Sequence, residues 1–434
     1  MATKPIEDYP ERYALSNELH ARPFPELAAP CRAAYVAIKR EKDAAYRDRG
    51  EDLAHLVELL DRHGAPHPAP GTNHHTVRLG RGMLKWEQHT EFVTYTVFAD
   101  GVADTPFDGS AHALLSADWL SRAPGKLLSS CLVRIETATS REAAADRVQQ
   151  AFHTWFVPES LATSSVLDGA AVIGSDFRID ENGHVRFAVL AANGTGRRRL
   201  GRIVQRLLEI ETYKSMAMLA LPHARRVSGK VATLDKELAE TVQHMADGPE
   251  GDEETLDRLL RISAEVELLS ASTAFRFGAA GAYEAIVNQR IEVLREERLG
   301  GRQTFGEFMM RRFDPAMRTY RSAQARMKEL SQRAERASNL LRTRVDVASA
   351  MQNAEVLRRM DDRAALQLRL QQTVEGLSVV AISYYAVNLA ANVTAPLAAD
   401  AGIGSGWVYA GLTPAVVLLV WLFVRRVRHG LNRR

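Results

Sequence analysis

"LSVVAISYYAVNLAANVTAPLA", Leu377 to Ala398, is an apolar run in a chain of 434 residues whose remaining composition is that of a water-soluble protein. No charged side chain occurs from Gly376 to Ala398. At about 1.5 Å per helical residue, such a run spans a hydrocarbon core of roughly 30 Å, so 376–398 reads as a first transmembrane helix. A second run, "WVYAGLTPAVVLLVWLFV", spans 407–424 and carries Trp407, Tyr409 and Trp421 toward its ends, where interfacial aromatics sit. The loop between them, 399–406, has no Lys or Arg, whereas Arg358, Arg359, Arg363 and Arg369 precede the first run and Arg425, Arg426, Arg428, Arg433 and Arg434 follow the second. The excess of positive charge on both flanks predicts a hairpin with a cytoplasmic stem, a basic cytoplasmic tail (425–434) and an external tip.

Within the first run, Ala381, Tyr384 or Tyr385, Asn388 and Asn392 recur at spacings of three and four and therefore share one helical face. Amides in a bilayer avoid lipid, so this stripe predicts either self-association of the anchor or the lining of a path for ions. Pro396 is expected to mark the outer end of the helix.

Upstream, Asp314-Pro315 reads as an N-cap followed by a proline in the first turn, and neither Gly nor Pro occurs from Ala316 to Glu375. One long stalk helix (314–375) should therefore run into the membrane. Met327, Leu330, Ala334, Ala337, Leu341, Ala348 and Met351 fall near a seven-residue repeat that Arg344 interrupts, a coiled-coil-like pattern that predicts packing against other helices. Residues 194–313 show three helical runs separated by Pro222 and "DGPEGDEE" and are assigned as all-helical.

The first 193 residues differ. Short β-rich runs, "AAYVAI", "HTVRL", "EFVTYTVF", "LSSCLVRIE", "AAVIGSDFRI" and "HVRFAVLAA", alternate with turns and with an amphipathic stretch, "DAAYRDRGEDLAHLVELLDRHG", that predicts one helix. "SADWL" opens another helix, and Asp180 to Gly183 is a hairpin turn, its Asn-Gly pair suited to positive φ. The expected fold is an α+β N-terminal domain, a helical stalk and two C-terminal transmembrane helices.

The net charge of +3 excludes a strong overall field for nucleic acid. Cys31 and Cys131 show neither zinc nor disulfide spacing, and "MATKPIEDYPERYALSNELH" lacks the apolar core of a signal peptide. No catalytic motif is strong and no cofactor is indicated. Glu18, His20 and Arg22 in "NELHARPF" offer an acid–base cluster, but Glu18 and Arg22 also suit a surface helical pair. His63, His67, His74 and His75 surround a loop without ligand spacing. Glu87, His89 and Glu91 alternate beside a strand, which predicts the polar face of a half-exposed sheet and offers Glu87 and His89 as further acid–base candidates. Arg197, Arg198, Arg199 and Arg202 open a helix after Gly194 and Gly196 and could contact an anion there; without a P-loop signature they read first as a basic surface near the membrane.

The stretches "YALSNELHARPF", "KWEQHTEFVTY", "RRLGRIVQRLLEIETY", "LLRTRVDVA" and "LQLRLQQTVEGLSVVAISYYAV", spread along nearly the whole chain, resemble a bacterial membrane-anchored family of unknown function, DUF3422. That resemblance implies an inner-membrane location and no catalytic residue. The architecture also resembles CorA-type magnesium channels, which assemble as pentamers around the first span. The Gly-Met-Asn signature of those channels is missing here, the end of the span reading "AANVTAP". The leading expectation is an inner-membrane protein acting through homo-oligomerisation or partner binding. A CorA-like divalent cation channel comes next, and a membrane-anchored enzyme third.

Overall fold

The computed structural model describes residues 6–18, 23–248, 251–400 and 404–431. Nine strands form one mixed sheet: β1 (Cys31–Lys39), β2 (His74–Leu79), β3 (Gly82–Gln88), β4 (Phe92–Asp100), β5 (Lys126–Ala138), β6 (Ala162–Val166), β7 (Ala171–Ser175), β8 (Val185–Ala192) and β9 (Glu297–Arg298). Their spatial order is β2-β3-β4-β1-β5-β8-β7-β6-β9. Every pairing is antiparallel except β5 with β8. The helices are α1 (Arg12–Glu18), α2 (Arg49–Arg62), α3 (Ala117–Ser121), α4 (Arg141–Arg147), α5 (His153–Trp155), α6 (Arg197–Met218), α7 (Ala220–Asp247), α8 (Asp252–Glu292), α9 (Phe305–Arg312), α10 (Asp314–Asp400) and α11 (Ser405–Leu431).

The chain divides into two compact units, residues 1–337 and 338–434. In the first, period-two alternation sends Val36, Ile38, Leu84, Trp86, Val93, Tyr95 and Val97 to one sheet face, where they pack against Leu56, Leu59 and Leu60 of α2 and Trp119 of α3. Farther along that face, Val172, Ala188 and Leu190 pack on Val148, Phe152 and Trp155 around α4 and α5. Gly174 is the residue that admits Phe152 here, since a Cβ would come within 2.2 Å of its ring. α6 packs on the opposite face, and α8 packs on α6. The change of character at 193/194 is thus a change of layer inside one unit.

Several expectations are corrected. β3, β6 and β9 join the sheet in addition to the strands expected, and β9 comes from the stretch assigned as all-helical, covering the edge strand β6. The run 43–64 is not one helix: Asp43 adopts a left-handed backbone, Arg47 is extended, and α2 starts after Asp48, whose carboxylate accepts from Gly50 N at 2.7 Å. In the 180–183 turn Gly183 alone takes positive φ, and Asp180 Oδ1 accepts from the Asn182 and His184 amides. Pro222 sits in the first turn of α7, where a missing N–H costs little. Pro396 does not end α10, which runs for 87 residues from Asp314 to Asp400.

The seven-residue pattern holds over Met327, Leu330, Ala334 and Ala337, all buried in the first unit. There α10 meets α8 through Tyr320 and Arg321 on Glu284, and α7 through Arg333 on Asp235. In the second unit Ala348 and Met351 are exposed. Ser383, Val387 and Ala391 are buried on the side of α10 that faces α11, and a groove between the two helices is lined by Ser383, Val387 and Thr413. The second unit contains two helical segments long and apolar enough to cross a membrane.

His55 tests the core of the first unit. Its Nε2 lies 3.1 Å from the Trp119 carbonyl and must donate, so Nδ1 accepts from the Tyr95 hydroxyl at 3.1 Å, while the ring stacks 3.9 Å from Trp119. Burial lowers its pKa, so the fold favours the neutral ring. Its contribution to stability is present above the ordinary histidine pKa of about 6.5 and is lost as pH falls below it toward the folded-state value. Thermal unfolding should show a stability gap between the native chain and His55→Gln that narrows from pH 7.5 to pH 5.5; a constant gap would contradict a neutral His55.

Candidate functional site

The sheet face toward α6 is polar where a core would ordinarily be apolar. On β3, Lys85 and Glu87 point to it while Leu84, Trp86 and Gln88 point to the α2 side; on β4, Thr94, Thr96 and Phe98 share it. The β3–β4 turn is fixed from behind. Arg47 Nε donates to Asp52 Oδ2 at 2.8 Å, and its two Nη atoms donate to the carbonyls of Ala44, His89, Thr90 and Phe92. Gln88 Nε2 donates to the same Asp52 oxygen at 3.1 Å. The turn is therefore held in one shape, and His89 stacks on Phe92 with ring centres 4.3 Å apart.

The other wall is α6 with the segment 23–28. Leu27 N donates to the Arg197 carbonyl at 3.1 Å and Glu26 pairs with Arg198 at 2.8 Å, laying the segment across the start of α6. Gly201 makes the crossing possible: a Cβ there would lie 1.7 Å from the Pro25 carbonyl oxygen. Phe24 and Pro25 thus roof two adjoining cavities that also share Lys85 and Phe98. One, of about 250 Å³, is lined by Glu87, His89, Gln205, Glu209, Tyr213 and Arg290 among others. The other, of about 370 Å³, opens toward the β2–β3 hairpin and holds Arg78, Arg81 and Arg197.

Charges in the smaller cavity are compensated. Lys85 Nζ lies 3.1 Å from Glu87 and donates to Gln205 at 2.9 Å; Gln205 donates to Glu209 at 2.8 Å, and Arg290 pairs with Glu209. A lining of held ion pairs and amides offers fixed dipoles to a polar ligand. Just outside it, Glu91 is only 2% exposed and accepts from Arg276 and from the Tyr283 hydroxyl at 2.8 Å, with Lys39 at 4.0 Å. Burial lowers the Lys39 pKa, assisted by the Arg276 charge, and raises that of Tyr283, assisted by Glu91.

Of the acid–base candidates, Glu87 and His89 come together in this cavity. The backbone of α1 ends at Glu18, whose side chain lies outside the described residues, as do His20 and Arg22. The expectation of an exposed polar face fails for Glu91, because α8 covers it. Arg197 reaches the larger cavity, but Arg198 turns to Glu26, Arg199 to Asp168 and the Leu167 carbonyl, and Arg202 is exposed, so the quartet does not form one anion cradle. His63, His67, His74 and His75 each contact a different group, namely the Leu114 carbonyl, Asp61, Asn73 and the Pro66 carbonyl. Among the described residues no group of three His, Cys, Asp or Glu side chains is placed to hold a metal ion. Cys31 and Cys131 are buried free thiols. On α10, Tyr384 and Asn388 line the groove toward α11, whereas Tyr385 and Asn392 are exposed away from it.

Lys85, Gln205, Glu209 and Arg290 were not legible as site residues. A signal existed for Lys85 alone: strict alternation in "GMLKWEQ" puts it on the face of Glu87. The chain belongs to the family described as Protein of unknown function (DUF3422), whose model matches residues 7–431. No curated protein matches it.

Gly201→Ala should push the 23–28 segment off α6, costing about 1 to 3 kcal/mol as other overpacked sites do. The expected observations are a lower unfolding temperature and faster chymotryptic cleavage after Leu27, which is buried while the segment is in place. An unchanged cleavage rate would mean that the close approach at Pro25 is not needed to hold the segment.

Proposed function

We propose that this member of the DUF3422 family is a membrane-anchored binding protein, in which the C-terminal part of α10 and α11 cross the bacterial inner membrane and hold the sheet-bearing unit on the cytoplasmic side. The carrying observation is exposure. The apolar window of α11, Tyr409–Arg426, has mean hydropathy 1.4 and none of it is buried; the window in α10 is 17% buried at the same hydropathy. A core helix of a soluble protein buries its apolar side chains, each worth roughly 1.5 to 3 kcal/mol. Leu419 and Phe423 are instead 66% and 69% exposed. Lipid is the solvent that suits them. Arginines at 425, 426 and 428 and at 358, 359, 363 and 369 support cytoplasmic flanks.

The same surface supports homo-oligomerisation. Tyr385 and Asn392 face away from α11, so in a bilayer of single hairpins the amide would meet lipid; a second copy supplies the hydrogen-bonding partner. A CorA-like cation path is the second reading, favoured by the same stripe and by the unbroken α10. Action through the compensated cavity is binding in this proposal, and an enzyme is a less supported alternative.

Gly404→Cys gives a topology test with little background, because burial pushes the Cys31 thiol up to about 12 and also raises that of Cys131. An impermeant maleimide should label Gly404→Cys from outside intact cells, and alkaline carbonate should leave the protein in the membrane pellet. Labelling only after lysis would invert the topology, and release by carbonate would remove the anchor.

Light scattering of the solubilised protein should give more than one chain per particle. Asn388→Leu with Asn392→Leu should lower that number, since the amide of Asn392, which faces away from α11, contributes about 0.6 to 2 kcal/mol to association. An unchanged mass would remove the stripe from the interface. If liposomes carrying the native chain pass divalent cations and the double variant does not, the channel reading takes precedence.

A further inference from the structure

The larger cavity carries an inference that goes beyond anchoring and assembly. The β2–β3 hairpin pairs Thr76 with Lys85 and Arg78 with Met83, so Arg78 stands on the same sheet face as Lys85, with Arg81 at the hairpin end. Arg197, the first residue of α6, meets them across the cavity. Several arginines elsewhere in this unit are spoken for: Arg47 by Asp52, Arg134 by Glu136, Arg276 by Glu91 and Arg290 by Glu209. Among the described residues, the side chains of Arg78, Arg81 and Arg197 have no hydrogen bond or ion pair at contact distance. The Arg197 charge does help Arg198 hold the Glu26 carboxyl below its usual range, Arg198 being the larger cause.

The carboxylates on the lining are Glu26 and Asp100. Glu26 is bound by Arg198 and Lys85 is bound by Glu87. Three guanidiniums against the one remaining carboxylate of Asp100 leave an excess of two positive charges in a concave site, where the field is focused. A phosphate monoester carries about 1.5 to 2 negative charges near neutral pH and several acceptor oxygens, and the planar fork of arginine matches that geometry. Beside the arginines the wall is apolar: Phe24, Pro25, Met83 and Phe98. Phe24 and Met83 are 43% and 39% exposed, so both leave apolar surface open at the cavity. At about 370 Å³ the cavity falls in the range of small-molecule sites.

We propose that this cavity binds a phosphomonoester that carries an apolar or aromatic body, its phosphate on Arg78, Arg81 and Arg197 and its body against Phe24, Met83 and Phe98. Such chemistry has two sources, a soluble nucleotide-like ester or the headgroup of an anionic lipid. Neither requires that Arg202 take part.

Full-length protein in neutral detergent is titrated calorimetrically with adenosine monophosphate, with dihexanoyl phosphatidic acid and with inorganic phosphate. At least one of the two organic esters is expected to bind saturably and more tightly than inorganic phosphate, and to weaken with added salt. The tighter ester identifies the source. Arg78→Gln with Arg81→Gln should weaken binding by about tenfold or more, whereas Arg202→Gln should leave it within about twofold. Met83→Ser should weaken the organic ester but not inorganic phosphate. These residues are exposed, so the variants should keep the native unfolding temperature, which is measured alongside. If neither ester binds saturably, or if the Arg78/Arg81 double variant binds as the native chain does, the proposal is overturned.

Discussion

One guanidinium organises the functional end of the sheet. Arg47 has five N–H donors, and all five are used: one on the buried Asp52 carboxylate and four on backbone carbonyls, two of them in the β3–β4 turn and one at the start of β4. Burying such a charge is costly unless it is paired and fully hydrogen-bonded, and both conditions are met. Asp52 pairs with Arg47 from the first turn of α2 and also receives Gln88, so helix, turn and strand are tied through one carboxylate. His89 and Glu91, the two ends of that turn, are presented to α6 and α8 as a result.

This constraint also explains where reading the sequence succeeded and where it stopped. The β-rich runs of β1, β4, β5 and β8, the helix opening at "SADWL" and the start of α10 at Asp314 depend on neighbours a few residues away, and all were legible. The helix expected over 43–64 has good helical periodicity throughout. It breaks because Arg47 must turn inward to reach partners more than 40 residues along the chain, which no local pattern encodes. β6, "ATSSV", is buried at every position but carries three hydroxyl side chains in five residues, so it lacks the apolar run that marked β7. β9 is two residues long and is a strand only because β6 offers it an edge.

The candidate site divides in the same way. Glu87 and His89 were legible as a polar pair beside a strand, and they do share a cavity. Their counterparts Gln205, Glu209 and Arg290 are helical residues whose polarity resembles that of any solvated helix face. Only the packing of α6 on the sheet and of α8 on α6 turns that polarity inward, and the same packing makes Glu91 a buried anion held by Arg276 and Tyr283. In the second unit the stripe read as one face is divided by the hairpin: Asn388 borders the groove toward α11 and Asn392 does not.

The crossing of Pro25 over Gly201 has a consequence for biosynthesis. Residue 25 leaves the ribosome roughly 180 residues before its seat on α6 exists, an interval of about 10 to 35 s at ordinary elongation rates. Throughout that time Phe24 and its neighbours have no helix to lie on, so the roof of both cavities can be laid only after the sheet and α6 have met. The last wall of the smaller cavity, Arg290, arrives later still, shortly before α10 begins to emerge. A nascent chain therefore cannot complete the smaller cavity until α8 has been made, whereas the larger one is walled as soon as the start of α6 reaches the sheet.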